Sequence, residues 1–241
     1  MLTGNLRDLD LLSPYVCDYV VKALINLAKY MGTCQEFKKR LKDYGVKTFR
    51  PNAFASFLRI LNSNNNSDLL TWYRKTINVL RPNERLFLRC AAVTGLRKSE
   101  AIQSFNLIIE LCESEDLQKY YNEELNCLEH FKFKKQFLRR TKNAYVSFVP
   151  ESLILEVAKS RPVAYAAIIN RLKRKNLRTR VNELSDYYGA FMVRHGLIRE
   201  EVDLLQGRIP SNIFIRHYWS PSFKELRDRT LKAVADLDKT L

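Results

Sequence analysis

The chain has 241 residues, 46% of them hydrophobic and 11% aromatic, so it carries enough apolar side chain for a substantial core and is not a disordered tail. Seven glycines and seven prolines exclude a collagen-like or proline-rich architecture. Lys and Arg number 41 against 26 Asp and Glu, a net charge of +15, which points to a polyanionic partner, nucleic acid before an anionic membrane surface.

Helical signals dominate the chain. Ser13-Pro14 is a start signal, and Val16, Val20, Leu24, Leu27 and Met31 follow at spacings of four and three until Gly32. Phe37, Leu41 and Tyr44 predict a second helix, stopped by Gly45. Phe54, Phe57, Leu58 and Leu61 predict a third. The polar run 62–67 reads as a loop, and a fourth helix follows Ser67 with Leu69, Leu70 and Tyr73 on its apolar side. Arg81-Pro82 breaks the pattern, and the domain boundary is expected there, giving a helical domain over 1–80 and a larger one over 81–241. Helices are predicted from Asn83 through Val93 and from Lys98 to Cys112.

From Leu125 to Val149 the pattern changes. Phe131, Phe133 and Phe137 alternate, Tyr145, Val146 and Phe148 are β-formers, and Thr141-Lys142-Asn143 lies between them, so a β-hairpin or small sheet is expected. Helices resume at Pro150-Glu151 and run to the end. The predicted fold class is mainly α with a small antiparallel sheet.

No apolar run nears the roughly 18 residues that span a bilayer, and residues 1–10 lack the pattern of a targeting peptide. Five scattered cysteines without a CxxC pair, and three distant histidines, predict neither a disulfide framework nor a metal site. A reducing, cytoplasmic setting follows.

Two stretches concentrate positive charge without acid. One holds Lys132, Lys134, Lys135, Arg139, Arg140 and Lys142; the other holds Arg171, Lys173, Arg174, Lys175, Arg178 and Arg180. On one face they would form a phosphate-tracking surface for duplex DNA.

Three words carry chemistry: Thr94-Gly95-Leu96-Arg97-Lys98-Ser99-Glu100-Ala101, Leu204-Leu205-Gln206-Gly207-Arg208, and Arg216-His217-Tyr218-Trp219. In the first, Gly95 allows a tight turn and Arg97 stands at a helix start, where free N–H groups and a guanidinium fork both favour phosphate. In this order the words resemble the tyrosine recombinase (phage integrase) family, most closely the archaeal fusellovirus-type integrases. The resemblance covers Asn83 to Leu241, and the earlier helices look like the family's core-binding domain.

The resemblance implies a helical core-binding domain followed by a catalytic domain that cuts DNA through a 3′-phosphotyrosyl intermediate, with no cofactor, metal or ATP. It implies duplex attachment sites as substrate, a homo-tetramer on DNA and no membrane. Tyr218 matches the nucleophile, and Arg97 the first phosphate-binding arginine. Lys142 matches the hairpin general acid, with Arg139 and Arg140 as alternatives. Arg208 stands where histidine or tryptophan is usual.

The second box departs from the family. Asn182 replaces a basic residue, and Ser185 stands where the second phosphate-binding arginine belongs. An inactive relative, a knockout substitution and rescue by another arginine all fit this departure. Three further readings stay open: a non-catalytic DNA-binding module, a type IB topoisomerase-like relaxing enzyme, and an RNA-binding protein using Phe131, Phe133 and Tyr145 as a stacking platform. The last helix, with Phe223, Leu226, Leu231, Val234 and Leu237 at helical spacing, either closes its own core or docks on a neighbouring protomer.

Overall fold

The structure, a computed structural model, describes residues 6–46, 65–139, 143–208 and 222–241. The expected third helix over Phe54–Leu61, together with Arg140, Lys142, Phe214, Ile215, His217 and Tyr218, lies outside the described residues. The fold is mainly helical with one small antiparallel sheet. It divides into two compact units, Met1–Ser63 and Asn64–Leu241, so the division falls ahead of the 80/81 boundary expected from Pro82.

In the first unit a 3-10 turn (Leu6–Leu11) precedes α1 (Pro14–Tyr30) and α2 (Cys34–Asp43). Pro14 occupies the first turn of α1, where its missing N–H costs nothing. Cys17, Val21 and Ala28 of α1 and Phe37 and Leu41 of α2 bury one shared face.

The second unit begins with α3 (Asn65–Ile77), which starts inside the polar run read as a loop. Leu69, Trp72 and Tyr73 of α3 belong to the core of this unit, and Trp72 Nε1 donates to the Arg178 carbonyl at 2.9 Å. That burial is why α3 goes with the larger unit and the boundary precedes it.

Helix α4 (Pro82–Thr94) is the centre of the unit, with Phe87, Leu88, Cys90, Ala91, Ala92 and Val93 all at 1% exposure or less. Helix α5 (Lys98–Glu113) packs on it, and Phe87 meets Phe105 edge-to-face at 5.8 Å. The sheet has strands β1 (Tyr121–Asn122), β2 (Cys127–Leu128) and β3 (Ser147–Phe148) in that order.

The phenylalanine alternation does not form a strand. His130–Lys132 is a 3-10 turn and Lys134–Phe137 a one-turn helix, α6. Phe133 and Phe137 face inward against Tyr120, with ring centroids 5.1 and 5.9 Å away. An antiparallel bridge joins Leu138 to Asn143, and this pair is the base of what we call the arm.

Helices α7 (Glu151–Ala158), α8 (Tyr165–Arg174), α9 (Val181–Arg194), α10 (Arg199–Leu205) and α11 (Phe223–Thr240) complete the unit. Helix α11 closes its own core: Leu226, Ala233, Val234 and Leu237 are buried, and Arg89 of α4 grips Asp238 with two hydrogen bonds of 2.7 and 2.6 Å. No helix among the described residues is long and apolar enough to cross a membrane. Among them there is also no cluster of metal-binding side chains, and all five cysteines are free.

Three helices in this unit start alike. Glu84, Glu100 and Glu201, each at the third position of its helix and each at most 4% exposed, accept the N–H of the preceding cap residue, Arg81, Arg97 or Ile198. Negative charge at a helix start is favourable, yet a carboxylate out of water needs a counter-charge. Each receives one or more arginines: Arg171 for Glu84, Arg97 and Arg139 for Glu100, and Arg229 for Glu201.

A buried polar chain joins the sheet to these helices. The Tyr120 hydroxyl lies 2.9 Å from Ser104 Oγ and 2.7 Å from His130 Nδ1; His130 Nε2 lies 2.9 Å from Ser147 Oγ, which sits 3.4 Å from the Thr94 carbonyl. Burial drives the His130 pKa down to about 3. The unfolded chain, with an ordinary histidine near 6.5, therefore binds an extra proton between those values, so stability is complete above about pH 6.5 and falls as pH drops toward 3. From pH 7 to pH 5 this group alone is expected to remove about 2 kcal/mol, read from urea unfolding at the two pH values. The same difference measured in His130→Leu should shrink by that amount; an unchanged difference would assign the acid sensitivity elsewhere.

Candidate active site

Four segments separated in sequence meet at one cleft in the second unit. Its walls are Gly95, Leu96, Arg97 and Glu100 from the α4–α5 turn, Ala144 from the arm base, Ser185 from α9, and Leu205, Gln206 and Arg208 from the end of α10. The open space is about 10 Å³, roughly one water molecule, so this is a polar seam and not a small-molecule pocket of hundreds of Å³.

Two glycines permit the convergence. Gly95 and Gly207 both have left-handed backbones, φ 65° and 70°. A Cβ on Gly95 would strike the Tyr188 ring, and one on Gly207 would strike the Asn143 backbone. Glycine is therefore required twice over, by conformation and by close approach. The α4–α5 turn presses on α9, and the α10 turn presses on the arm base.

Arg97 holds the centre. Its Nη1 donates to Glu100 Oε1 at 3.0 Å and to the Asn143 carbonyl at 3.3 Å, and its Nη2 donates to the Gln206 carbonyl at 3.1 Å. One guanidinium thus bridges α5, the arm base and the α10 turn. Nε–H and one of the two Nη2 hydrogens have no partner among the described residues, which leaves donors on this open side of the guanidinium for an oxyanion.

Gln206 supplies the link to α9. Its Nε2 donates to the Ser185 carbonyl at 2.6 Å, alongside Gly189, where a Cβ would come within 3.0 Å of that nitrogen. Ser185 is buried, and its Oγ donates to the Asn182 carbonyl of its own helix at 3.0 Å. Asn182 itself is exposed and does not line the cleft. Arg208 is half-exposed, 3.6 Å from Asp203.

The arm base is similarly tied. Arg139 N–H donates to Asn143 Oδ1 at 2.9 Å, and Arg139 Nη2 donates to Glu100 Oε1 at 2.9 Å and Ser99 Oγ at 3.3 Å. Tyr120, Tyr121, Tyr187 and Tyr188 are all buried, and burial raises the pKa of each phenol. None of these four is an accessible nucleophile.

The expected basic surface divides into two kinds of residue. Arg171 pairs with Glu84 at 2.8 Å. Arg180, only 8% exposed, pairs with Asp68 and Glu183, both at 2.5 Å, and the hydrogen bonds it donates to Glu183 chiefly raise its pKa. These two act as internal ties: Glu84 and Asp68 come from distant segments and Glu183 from the helix that Arg180 precedes, so an acid-free stretch of sequence does not make an unpaired cation. Lys132 pairs with Glu129, and Arg178, largely exposed, lies 3.3 Å from Glu183. Lys134, Lys135, Lys173, Arg174 and Lys175 point to solvent.

In comparisons with known proteins, no family model, curated protein or solved structure matches the chain.

Sequence reading missed two residues that shape the cleft. Glu100 stood inside the first word, and its place three residues after Arg97 was the available signal for a helix-start acid. Gln206 stood inside the second word, but nothing there marked the role of its side chain, whose partner is a main-chain carbonyl 21 residues earlier. Arg171→Ala should lower stability by roughly 2 kcal/mol in urea unfolding, since it strands the buried Glu84, while DNA affinity stays within about twofold. Lys173→Ala should leave stability unchanged. Equal stability of the two variants would show that the Glu84 pair is not a structural tie.

Proposed function

We propose that this protein is a tyrosine-type site-specific DNA recombinase that cuts and rejoins duplex DNA through a 3′-phosphotyrosyl intermediate. The observation that carries this reading is the convergence of Arg97, Ser185 and the Gln206–Arg208 turn on one cleft, three positions that the family resemblance selects from sequence alone. Integration of a mobile element's DNA, as a tetramer on paired attachment sites, is the process such an enzyme serves.

In this reading the Tyr218 hydroxyl oxygen attacks the scissile phosphorus. The P–O5′ bond breaks, the tyrosine proton passes to solvent or a nearby base, and Lys142 protonates the leaving 5′ oxygen. Attack by a 5′-hydroxyl on the phosphotyrosine reverses these steps and frees the tyrosine, so bond energy is conserved without ATP. The negative charge that gathers on the phosphate oxygens meets the open edge of Arg97. Arg208 adds a donor but cannot act as a base near neutral pH.

Preorganisation matters more than the number of cations. Arg97 is held by three acceptors before any substrate arrives, so it needs no reorganisation when charge develops. The second reading is a DNA-binding module without catalysis. It is favoured by Ser185, which is neutral and turns its hydroxyl into its own helix.

Covalent trapping separates the two. On a nicked duplex pool, wild-type protein should give a denaturation-resistant adduct, Tyr218→Phe none at equal DNA affinity, and Arg97→Ala an adduct rate about 10²–10³-fold lower. Adduct formation by Tyr218→Phe at the wild-type rate would sink the nucleophile assignment. Both readings expect DNA affinity to fall at least tenfold between 50 and 200 mM salt, as phosphate contacts release counterions; a flat salt response in a filter-binding titration would remove the basic-face argument.

A further inference from the structure

We propose that Arg139 supplies the second phosphate-binding guanidinium, in place of the arginine that Ser185 lacks. The proposal rests on the recombinase reading above. The phosphate in that reaction needs cations on more than one side, and Ser185 contributes none. Arg139 comes from the arm, a different element from the helix where the missing arginine would sit.

Glu100 Oε1 receives Arg97 Nη1 at 3.0 Å and Arg139 Nη2 at 2.9 Å, so two guanidiniums converge on one buried oxygen beside the cleft. One carboxylate against two guanidiniums leaves an uncompensated positive charge there. Arg139 is 43% exposed and reaches Glu100 through a single nitrogen; its Nε and Nη1 have no partner among the described residues. Its main chain is fixed by the bridge Leu138 to Asn143 and by the Asn143 Oδ1 bond, so the side chain moves on a fixed base. Asn143 also accepts from Arg97, so the same residue registers both arginines against each other.

In this arrangement one phosphate is shared by Arg97 and Arg139, which already meet on the same Glu100 oxygen. Arg139 then keeps or exchanges its Glu100 contact as the phosphate takes up negative charge. Each step adds only hydrogen bonds, and the covalent changes remain those of Tyr218 and the leaving 5′ oxygen.

The test is covalent capture from a pool of nicked DNA duplexes randomised on both sides of the nick, with affinity for the same pool and melting temperature measured in parallel. Arg139→Ala should lower the adduct rate about 10²-fold while affinity stays within threefold and the melting temperature within a few degrees. Arg139→Lys should fall between Arg139→Ala and wild type, since it keeps charge and loses the fork. Adding Ser185→Arg to Arg139→Ala should recover at least tenfold, an effect a merely structural arginine would not show. Should the alanine variant fail to fold, Arg139→Gln, which still donates to Glu100, takes its place. A wild-type adduct rate in Arg139→Ala, or a loss that tracks affinity and melting temperature, overturns the role of Arg139 and leaves the recombinase reading standing. No adduct from wild-type protein on a pool that it binds overturns the recombinase reading, and this proposal with it.

Discussion

A carboxylate removed from water must find compensation, and the second unit meets that constraint three times in the same way. Glu84, Glu100 and Glu201 sit at helix starts, where the backbone field favours negative charge, and each accepts a cap N–H plus at least one arginine. The arginines come from elsewhere in the fold. Arg171 joins α8 to the start of α4, Arg229 joins α11 to the start of α10, and Arg139 joins the arm to the start of α5. Glu84 and Glu201 each have a single arginine, so breaking either pair strands a buried charge at a cost of several kcal/mol, whereas Glu100 is shared by Arg97 and Arg139 and keeps one when the other is lost. The cleft is bounded by two of these paired elements.

This pairing gives the cleft its chemical character. Arg97 is a member of the Glu100 pair and also spans to Asn143 and Gln206, so its orientation is set by the fold. Behind it the chain from Ser104 through Tyr120, His130 and Ser147 ends on the carbonyl of Thr94, the residue before the Gly95 turn. A satisfied polar network inside a core rigidifies what it touches, whereas a half-satisfied one would destabilise it. The turn that aims Arg97 is thus supported by Glu100 on one side and by the buried chain on the other. Gly95 and Gly207 then let α9 and the arm approach closely enough to complete the walls.

Much of the helical layout was legible from periodicity, since apolar spacings of three and four reflect burial of one face. Pro14 marked a helix start, Pro82 a break in the pattern that proves to be the first residue of the next helix, and Gly45 and Gly95 marked stops, by backbone restriction alone. The phenylalanine alternation at 131–137 was misleading for a physical reason. Period two indicates a strand only if a neighbouring strand is there to pair with it. Here Phe133 and Phe137 are claimed by Tyr120 and His130, and the local backbone coils into short helical turns around them. The polar run at 65–67 likewise enters a helix, because its apolar continuation at Leu69, Trp72 and Tyr73 has a core to join.

By itself the sequence determined the helical character, the excess of positive charge and the order of the words around Arg97, Ser185, Arg208 and Tyr218. All three are properties of composition and local spacing. Only the tertiary structure decided which cations are spent inside the fold and which face outward. Arg171 and Arg180 looked the same as Lys173 and Arg174 in an acid-free stretch, yet the first two meet Glu84 and Asp68 brought from distant segments, and the other two face solvent. Charge pairing acts through space over a few ångströms, and no linear pattern records which distant residues the fold will bring that close.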